Sequence, residues 1–229
     1  MKDTTIIIPI KDEEDGLRFL YGNYINSKLH GDKRISFILV IDGRTNDSSK
    51  EIASKFPGTI IDQHETHGKG SAIKQALEYW KKNMTPYVIF MDADGSYSFE
   101  SIPKIIKVLD NGADLVSGSR FIGLNGRPKG MGIMHNFGNK VLSKISNLKN
   151  RNNISDMCTG LWGFQSSSIP VLNIKSDGFD IEAEITGKAS KNKLKHLEIP
   201  VNWSARKGGT TKLKSFKDGF IILLRILRN

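Results

Sequence analysis

The sequence predicts a single α/β domain in which helices flank a mostly parallel central sheet. Short runs rich in isoleucine and valine are apolar throughout, which is typical of strands covered on both faces. These runs alternate with segments of helical periodicity, a pattern that favours strand–helix–strand units with right-handed crossovers. A chain of 229 residues with 38% hydrophobic side chains is long enough to bury one substantial core.

The first half of the chain supplies five predicted strands and four predicted helices. The strands are predicted at residues 4–10, 36–41, 59–62, 87–92 and 114–117, and the helices at 14–27, 48–55, 71–83 and 99–111. Asp47 and Ser98 are suitable N-cap residues for the second and fourth helices. Pro103 lies early enough in the fourth helix to be tolerated in its first turn.

The pattern changes after residue 118. A glycine-rich loop at 118–132 leads to a predicted helix at 133–148, then to a strand near 161–165, a helix near 180–190 and a strand across 194–203. The sequence contains no internal repeat and no linker long enough to separate two domains. We therefore expect one domain with two functional halves.

Several protein classes are excluded by composition. Cys158 is the single cysteine, so an internal disulfide and a cysteine-cluster metal site are ruled out. The apolar run Ile6–Ile8 meets Pro9 and then a charged stretch, which argues against a cleaved signal peptide. The run Phe220–Leu224 is far shorter than the roughly 20 residues that a membrane-spanning helix needs. We expect a chain that does not cross a membrane.

The positive charge is concentrated near the C-terminus. Of the formal net charge of +10, residues 185–229 carry +9, from eleven basic and two acidic side chains. Large apolar residues recur at helical spacing between Lys212 and Arg228, so residues 213–229 are predicted to form a basic amphipathic helix. Such a helix fits an anionic membrane surface, and packing on the domain or dimerisation are the alternatives.

Carboxylates follow three of the predicted strands. Asp42 comes after the second strand, Asp92 and Asp94 come after the fourth, and Glu13 stands just beyond the first. Ligands of parallel α/β sheets bind outside the carboxyl ends of the strands. Two aspartates two residues apart at such an end can both reach one hard divalent cation, and a pair of solvated carboxylates on a turn is the alternative.

Basic residues lie on several glycine-containing loops. Arg120 follows the fifth strand, and Arg206 and Lys212 flank Gly208-Gly209. Arginine on such a loop can bind phosphate through two hydrogen bonds. The segment 67–71, His-Gly-Lys-Gly-Ser, precedes the third helix but matches neither the dinucleotide nor the ATPase phosphate-binding motif. His64 and His67 have no third ligand at a spacing usable for zinc.

Eight blocks of the sequence together resemble one family. They are, in order, IPIKDEE, VIDGRTNDSS, HGKGSAIKQAL, MDADGS, SGSRF, SDMCTGLWGF, FDIEAEI and IPVNWSARKGGTTKL, and they extend from Ile6 to about Leu213. The chain resembles the family 2 inverting glycosyltransferases of GT-A fold, most closely the dolichyl-phosphate or polyprenyl-phosphate mannosyl- and glucosyltransferases. The resemblance implies a Rossmann-like nucleotide-diphospho-sugar transferase domain at 1–212, with its nucleotide-sugar half at 1–118 and its acceptor half at 119–212.

The resemblance also implies roles for individual residues. The nucleotide sugar is expected to contact Pro9, Lys11, Glu13, Val40, Asp42, Asp92, Ala93, Asp94, Ser96, Arg206 and Lys212. Asp92 and Asp94 are implied to hold Mg²⁺ or Mn²⁺. Arg120, Arg127 and His135 are expected at the acceptor phosphate, and Asp94, Arg120 and Arg206 are the candidate catalytic residues.

The reaction implied is transfer of a hexose from GDP-mannose, or next from UDP-glucose, to a polyprenyl or dolichyl phosphate with inversion. The enzyme would lie peripherally on the cytoplasmic face of a membrane. A cytosolic family 2 enzyme that glycosylates a glycan hydroxyl is one alternative, and it would need Glu182 or Asp156 as a general base. A nucleic-acid-binding module that uses the basic tail is the other, although no nucleic acid is expected as a partner because this role leaves the strand-end carboxylates unexplained.

Overall fold

The structure is a computed structural model that describes residues 3–64, 66–124, 126–212 and 215–229. Seven strands form one sheet: β1 (Thr4–Ile10), β2 (Ile35–Asp42), β3 (Gly58–Gln63), β4 (Tyr87–Met91), β5 (Leu115–Ser119), β6 (Leu161–Gln165) and β7 (His196–Pro200). The helices are α1 (Glu14–Ile25), α2 (Ser49–Ala53), α3 (Lys69–Trp80), α4 (Ser101–Asp110), α5 (Ile133–Asn150), α6 (Ser168–Leu172), α7 (Ile181–Lys191) and α8 (Ser215–Arg228).

The sheet has the strand order β3-β2-β1-β4-β6-β5-β7. Strand β6 runs antiparallel to both of its neighbours, and the other paired strands of the described sheet are parallel. The predicted α/β class with a mostly parallel sheet is therefore confirmed. Because β1, β2 and β4 are parallel neighbours, their carboxyl ends lie side by side at one edge of the sheet.

Helices cover both faces of the sheet, which explains why the strand sequences are apolar throughout. In β1, Ile6 and Ile8 pack under α1, α2 and α4, whereas Ile7 packs under α3, α6 and α7. Successive side chains of a strand point to opposite faces, so both of these layers need apolar residues. All three isoleucines are completely buried.

The last helix packs on the domain through one of its faces. Ile222 and Ile226 of α8 are buried against Met157 and Ala183, with Leu142 of α5 beside them. Among the described residues, no helix combines the length and the hydropathy that a bilayer span requires. The expected division into a nucleotide-sugar half and an acceptor half stays a prediction.

The bounds of several elements differ from the predicted ones by a few residues, and one observed helix was not predicted. Helix α3 begins at Lys69 rather than at residue 71, and the five-residue helix α6 was not predicted because it is too short to produce a periodic pattern. Strand β7 ends at Pro200 rather than at residue 203. Trp203 instead forms an isolated bridge with Tyr97, which fixes the chain where it leaves the sheet.

Candidate active site

A cleft of about 1090 Å³ opens where β1, β2 and β4 end. This volume lies at the upper end of the roughly 300–1,000 Å³ that small-molecule sites span. The walls come from the β1–α1 loop, the start of α3, the segment after β4, the first turns of α5 and the loop at 205–212. The cleft therefore contains most of the residues that the sequence placed at strand ends.

The carboxylate pair after β4 lies in this cleft as expected. Asp92 is held by its backbone N–H, which donates to the Gly160 carbonyl at 3.0 Å. A side chain at position 160 would collide with the Asp92 carboxylate, so glycine is needed there. Asp94 Oδ1 accepts hydrogen bonds from the backbone N–H of Ser96, at 3.0 Å, and from its hydroxyl. Ala93 and Ser96 also line the cleft.

Lys69 forms a largely buried ion triad that the sequence did not predict. Its Nζ lies 2.6 Å from Asp92 Oδ1 and 2.6 Å from Glu182 Oε1 of α7. Burial lowers the pKa of Lys69, but attraction to the two carboxylates outweighs burial and raises it. Burial raises the pKa of Asp92, an effect opposed by Lys69 and reinforced by Asp94. Burial likewise raises the pKa of Glu182.

The glycines beside Lys69 have a packing role. A side chain at Gly68 or Gly70 would collide with the backbone carbonyls of Asp177 or Ser176, so both glycines allow the start of α3 to approach the segment before α7. Gly68 also adopts φ of +101°, which disfavours other residues. Glycines before a helix can also bring backbone close to a ligand. In the structure they bring it close to segment 176–178, and this contact places Lys69 beside Glu182.

The nucleotide end of the predicted site is only partly assembled by the fold. Pro9, Lys11 and Asp42 line the cleft. Arg44 donates two hydrogen bonds to the Asp42 carboxylate, at 2.9 and 2.7 Å, and these lower the pKa of Asp42 to about 2. The structure does not bring Val40 to the cleft, because its side chain is completely buried in the core beneath α3.

The loop at 205–212 lies across the carboxylates. Arg206 forms an ion pair with Glu13 and reaches Asp94 Oδ2 at 3.4 Å. Lys212 donates to the Asp12 carbonyl at 2.6 Å and lies 3.2 Å from Glu13 Oε1. Glu13, predicted as a nucleotide contact, is therefore the residue that anchors the two predicted phosphate-binding cations.

Arg120 is fixed at the acceptor end by Asp156. Its Nε and Nη2 donate to the two carboxylate oxygens at 2.6 and 2.7 Å, and Nη2 also donates to the Cys158 carbonyl at 2.8 Å. Asp156 is completely buried and accepts a further hydrogen bond from Asn139 of α5 at 2.6 Å. This network holds the guanidinium at the cleft wall.

The other two predicted acceptor residues differ in position. His135 is exposed at the first turn of α5 and lines the cleft. Arg127 is not among the residues that line the cleft, and its guanidinium donates to the carbonyl of Met131, which does line it. The chain therefore brings Arg120 and His135 to one end of the cleft and leaves Arg127 outside it.

Oxygen donors in the cleft suit a hard divalent cation. Asp92, Asp94 and Ser96 supply carboxylate and hydroxyl oxygens, the ligand type that Mg²⁺ and Mn²⁺ prefer. Across the described residues, no three His, Cys, Asp or Glu side chains converge to form a complete metal cage. The residues therefore fit a cation that takes its remaining ligands from a phosphorylated substrate and water.

Comparison with known proteins defines the class of protein to which this fold and site belong. The sequence profile described as glycosyl transferase family 2 matches residues 5–171. The chain belongs to this family, and the prediction of a glycosyl-transferring enzyme is confirmed.

Named relatives are 25% to 29% identical to this chain over the aligned residues. Glycosyltransferase AglJ of Haloferax volcanii is 29% identical over 97% of this chain and 70% of the relative. The dolichol-phosphate mannosyltransferase of Pyrococcus furiosus is 29% identical over 92% of this chain, which spans only 59% of that relative. The polyprenol monophosphomannose synthase of Mycolicibacterium smegmatis is 25% identical over 92% of this chain and 80% of the relative.

Solved structures share the fold at much lower identity. Glucosyl-3-phosphoglycerate synthase from Mycobacterium tuberculosis, in complex with Mn²⁺, UDP and phosphoglyceric acid, has a TM-score of 0.74 at 12% identity, over 99% of this chain and 78% of that one. Mannosyltransferase PcManGT from Pyrobaculum calidifontis, in complex with GDP-Man and Mn²⁺, has a TM-score of 0.68 at 14% identity, over 100% of this chain and 65% of that one. The predicted GT-A fold is confirmed.

Proposed function

We propose that this chain transfers a hexose from a nucleotide-diphospho-sugar to a polyprenyl or dolichyl phosphate with inversion at the anomeric carbon. GDP-mannose is the favoured donor and UDP-glucose the next. The observation that carries the proposal is the charge arrangement of the cleft, where Asp92 and Asp94 face Arg120, Arg206 and Lys212. Relatives named dolichol-phosphate mannosyltransferase and polyprenol monophosphomannose synthase support this choice of acceptor.

Asp92 and Asp94, with Ser96 beside them, would hold a divalent cation, Mg²⁺ or Mn²⁺. When bound, the cation supplies positive charge that neutralises the departing nucleoside diphosphate. Arg206 and Lys212 contribute further positive charge from the loop that lies across the same carboxylates. Because this loop forms a wall of the cleft beside Glu13 and Asp94, it would also limit the access of water to the diphosphate.

At the other end of the cleft, Arg120 binds and orients the acceptor phosphate, with His135 beside it. One phosphate oxygen attacks the anomeric carbon as the bond from that carbon to the diphosphate oxygen breaks, which inverts the configuration. A phosphate monoester with a second pKa of about 6 is mostly dianionic at neutral pH, so no group has to remove a proton from it. The acceptor therefore needs positioning more than it needs a general base.

This absence of a required base distinguishes the proposal from glycosylation of a hydroxyl acceptor. In the structure, both candidate bases for a hydroxyl acceptor already form ion pairs with basic side chains. Asp156 is completely buried and bonded to Arg120, while Glu182 pairs with Lys69. Neither carboxylate is free to accept a proton from a sugar hydroxyl, so phosphate is the favoured acceptor.

A transfer assay with purified protein tests the proposal. GDP-mannose and UDP-glucose, each radiolabelled in the sugar, are incubated with a short-chain polyprenyl phosphate and with Mg²⁺ or Mn²⁺, and the lipid-linked hexose is extracted and counted. We expect label in the lipid product, inverted configuration by NMR, and a loss on the order of 100-fold or more in Asp94→Asn. Transfer to a glycan hydroxyl but not to the lipid phosphate would refute the acceptor assignment.

We further propose that α8 attaches the enzyme to the cytoplasmic face of an anionic membrane, where a polyprenyl phosphate resides. Its inner face is occupied by core packing at Ile222 and Ile226, whereas Phe216 and Phe220 on the other face are exposed. Lys217 and Arg228 flank this exposed face. An amphipathic helix with basic flanks is the expected form of a peripheral membrane anchor. Failure of Phe216→Gln combined with Phe220→Gln to weaken vesicle binding would refute this attachment.

A further inference from the structure

Helix α5 carries an exposed apolar stripe beside the cleft. Ile133 is 71% exposed and Phe137 is 63% exposed, and Val141 extends the same row. Residues four apart lie on one face of a helix, so these three side chains form a continuous strip over the first three turns. A continuous strip of large exposed side chains on a soluble domain indicates a contact surface.

This strip adjoins both α8 and the acceptor end of the cleft. The inner side of α5 packs through Leu142 and Ile145 into the small core that contains Ile222 and Ile226 of α8. Met134 and His135 at the start of α5 line the cleft, as do Gly219 and Ile222 of α8. The exposed apolar faces of two neighbouring helices therefore border the opening through which an acceptor would enter.

The charge around the strip identifies what can cover it. Lys140 and Lys144 of α5 are exposed beside the strip. Residues 119–155 contain seven basic side chains and no Asp or Glu, although Arg120 among them is paired with Asp156 in the cleft: Arg120, Arg127, Lys129, Lys140, Lys144, Lys149 and Arg151. In a symmetric dimer through this face, each patch would meet an identical patch, so these charges would repel each other. An anionic lipid surface complements both the charge and the apolar side chains.

We propose that the Ile133–Phe137–Val141 strip of α5 is a second lipid-contacting element, which lies in the interfacial layer of an anionic bilayer next to α8. It would hold the acceptor end of the cleft against the membrane, so that a polyprenyl phosphate reaches Arg120 while its chain stays in lipid. The location of the strip is independent of the reaction, whereas its use in acceptor delivery rests on the proposed function.

Flotation of the full chain on vesicles tests the strip. The vesicles contain phosphatidylcholine with phosphatidylglycerol. Phe137→Gln and Val141→Gln are tested singly and combined in one chain. Val171→Gln on α6 is the matched control, since Val171 is 44% exposed and Val141 is 38% exposed. We expect the partition coefficient to fall about tenfold for the paired α5 substitutions and to stay unchanged for the control. Circular dichroism verifies that all variants are folded.

Two further measurements distinguish the possible outcomes. Transfer to a short-chain polyprenyl phosphate in detergent should be unchanged in Phe137→Gln, because this side chain does not line the cleft. Unchanged flotation of the α5 variants would overturn the inference, as would light scattering that reveals a dimer disrupted by them. If the α5 variants lose vesicle binding but the unsubstituted chain transfers no sugar to lipid phosphate, the proposed function fails and the membrane surface stands.

Discussion

Lys69 and Lys74 lie five residues apart on α3, and each forms an ion pair of 2.6 Å. Lys69 is 12% exposed and its partners Asp92 and Glu182 are 30% and 10% exposed, whereas Lys74 and its partner Asp177 are 33% and 70% exposed. Removing one member of a buried pair leaves an uncompensated charge, while exposed pairs contribute little. The two lysines therefore have different energetic importance despite equal distances.

We predict that Lys69→Met lowers the free energy of unfolding by about 3 kcal/mol, since Glu182 would remain largely buried without its cation and the partly exposed Asp92 would lose the same partner. Lys74→Met, the matched control, should lower it by less than about 1 kcal/mol. Urea unfolding of the two variants measures both values. Equal destabilisation would contradict the assignment of Lys69 as the centre of a buried triad.

A second residue-scale prediction concerns Asp156 as a positioning residue for Arg120. Asp156→Asn keeps the shape of the side chain but removes the charge that accepts both guanidinium hydrogen bonds. Displacement of Arg120 should lower kcat/KM for the lipid phosphate on the order of 100-fold. Binding of the nucleotide donor, measured by calorimetry, should be unchanged because the proposed diphosphate site lies at Arg206 and Lys212. A parallel loss of donor binding would indicate a general structural defect instead.

These residues illustrate what sequence reasoning reached and what it missed. Asp92 and Asp94 could be placed in the cleft because a buried strand directly precedes them, which is a local signal. Lys69 and Glu182 are 113 positions apart in the chain, and only tertiary packing brings them together. Asp156 was considered as a base because its residue type permits that role, but complete burial against Arg120 is not visible in the local pattern.

At the scale of elements, strand positions were predictable but the strand order was not. The apolar runs located β1, β2 and β4 to within a residue or two. Nothing in such a run specifies its neighbour, so the insertion of antiparallel β6 between β4 and β5 had no sequence signal. Gly163 fits this position because a side chain there would collide with Ile105 of α4. The positions of the strands and helices along the chain can be predicted from the sequence pattern. The order of the strands in the sheet depends on tertiary packing.

The contact between β5 and β7 predicts a pH dependence of stability. His196 of β7 lies 2.9 Å from the Ser117 hydroxyl and packs against Trp162, with ring centroids 5.2 Å apart. Burial lowers the pKa of His196 to about 4. The pKa of a histidine in an unfolded chain is about 6.5, so as the pH falls the unfolded state binds the proton before the folded state does. The stability contributed by neutral His196 is present above about pH 6.5 and decreases toward pH 4.

Urea unfolding at about pH 7 and about pH 4.5 measures this effect. The decrease in unfolding free energy between the two should be about 2 to 3 kcal/mol larger for the unsubstituted protein than for His196→Gln. His64→Gln, at an exposed loop position, is the control and should retain the full decrease. If His196→Gln and the unsubstituted protein lose equal stability, the histidine is not buried in its neutral form.

For the whole molecule, the distribution of charge was only partly recognised in the sequence. The excess of +9 in residues 185–229 indicated a basic tail, but the rest of the chain was treated as nearly neutral. Within that rest, residues 119–155 carry seven basic side chains without an acidic one, balanced by the carboxylates at the strand ends. A sum over the first 184 residues conceals this separation of charge. The fold then places the basic segment beside α8, where it enlarges the cationic surface.

This arrangement predicts that the proposed membrane attachment depends on where charge is removed, as well as on how much. Lys140→Gln with Lys144→Gln on α5 removes two charges beside the apolar strip, and Lys104→Gln with Lys107→Gln removes two exposed charges from α4. Each basic residue near an anionic surface contributes about 1 kcal/mol, and that contribution decays within the Debye length of about 10 Å at 0.1 M salt. The paired α5 substitutions should therefore reduce binding to anionic vesicles at least about tenfold at low salt, while the paired α4 substitutions should leave it nearly unchanged.

Raising the salt to about 1 M, where the Debye length is about 3 Å, should abolish the difference between the two variants. If both pairs weaken binding equally, net charge rather than the face formed by α5 and α8 governs attachment.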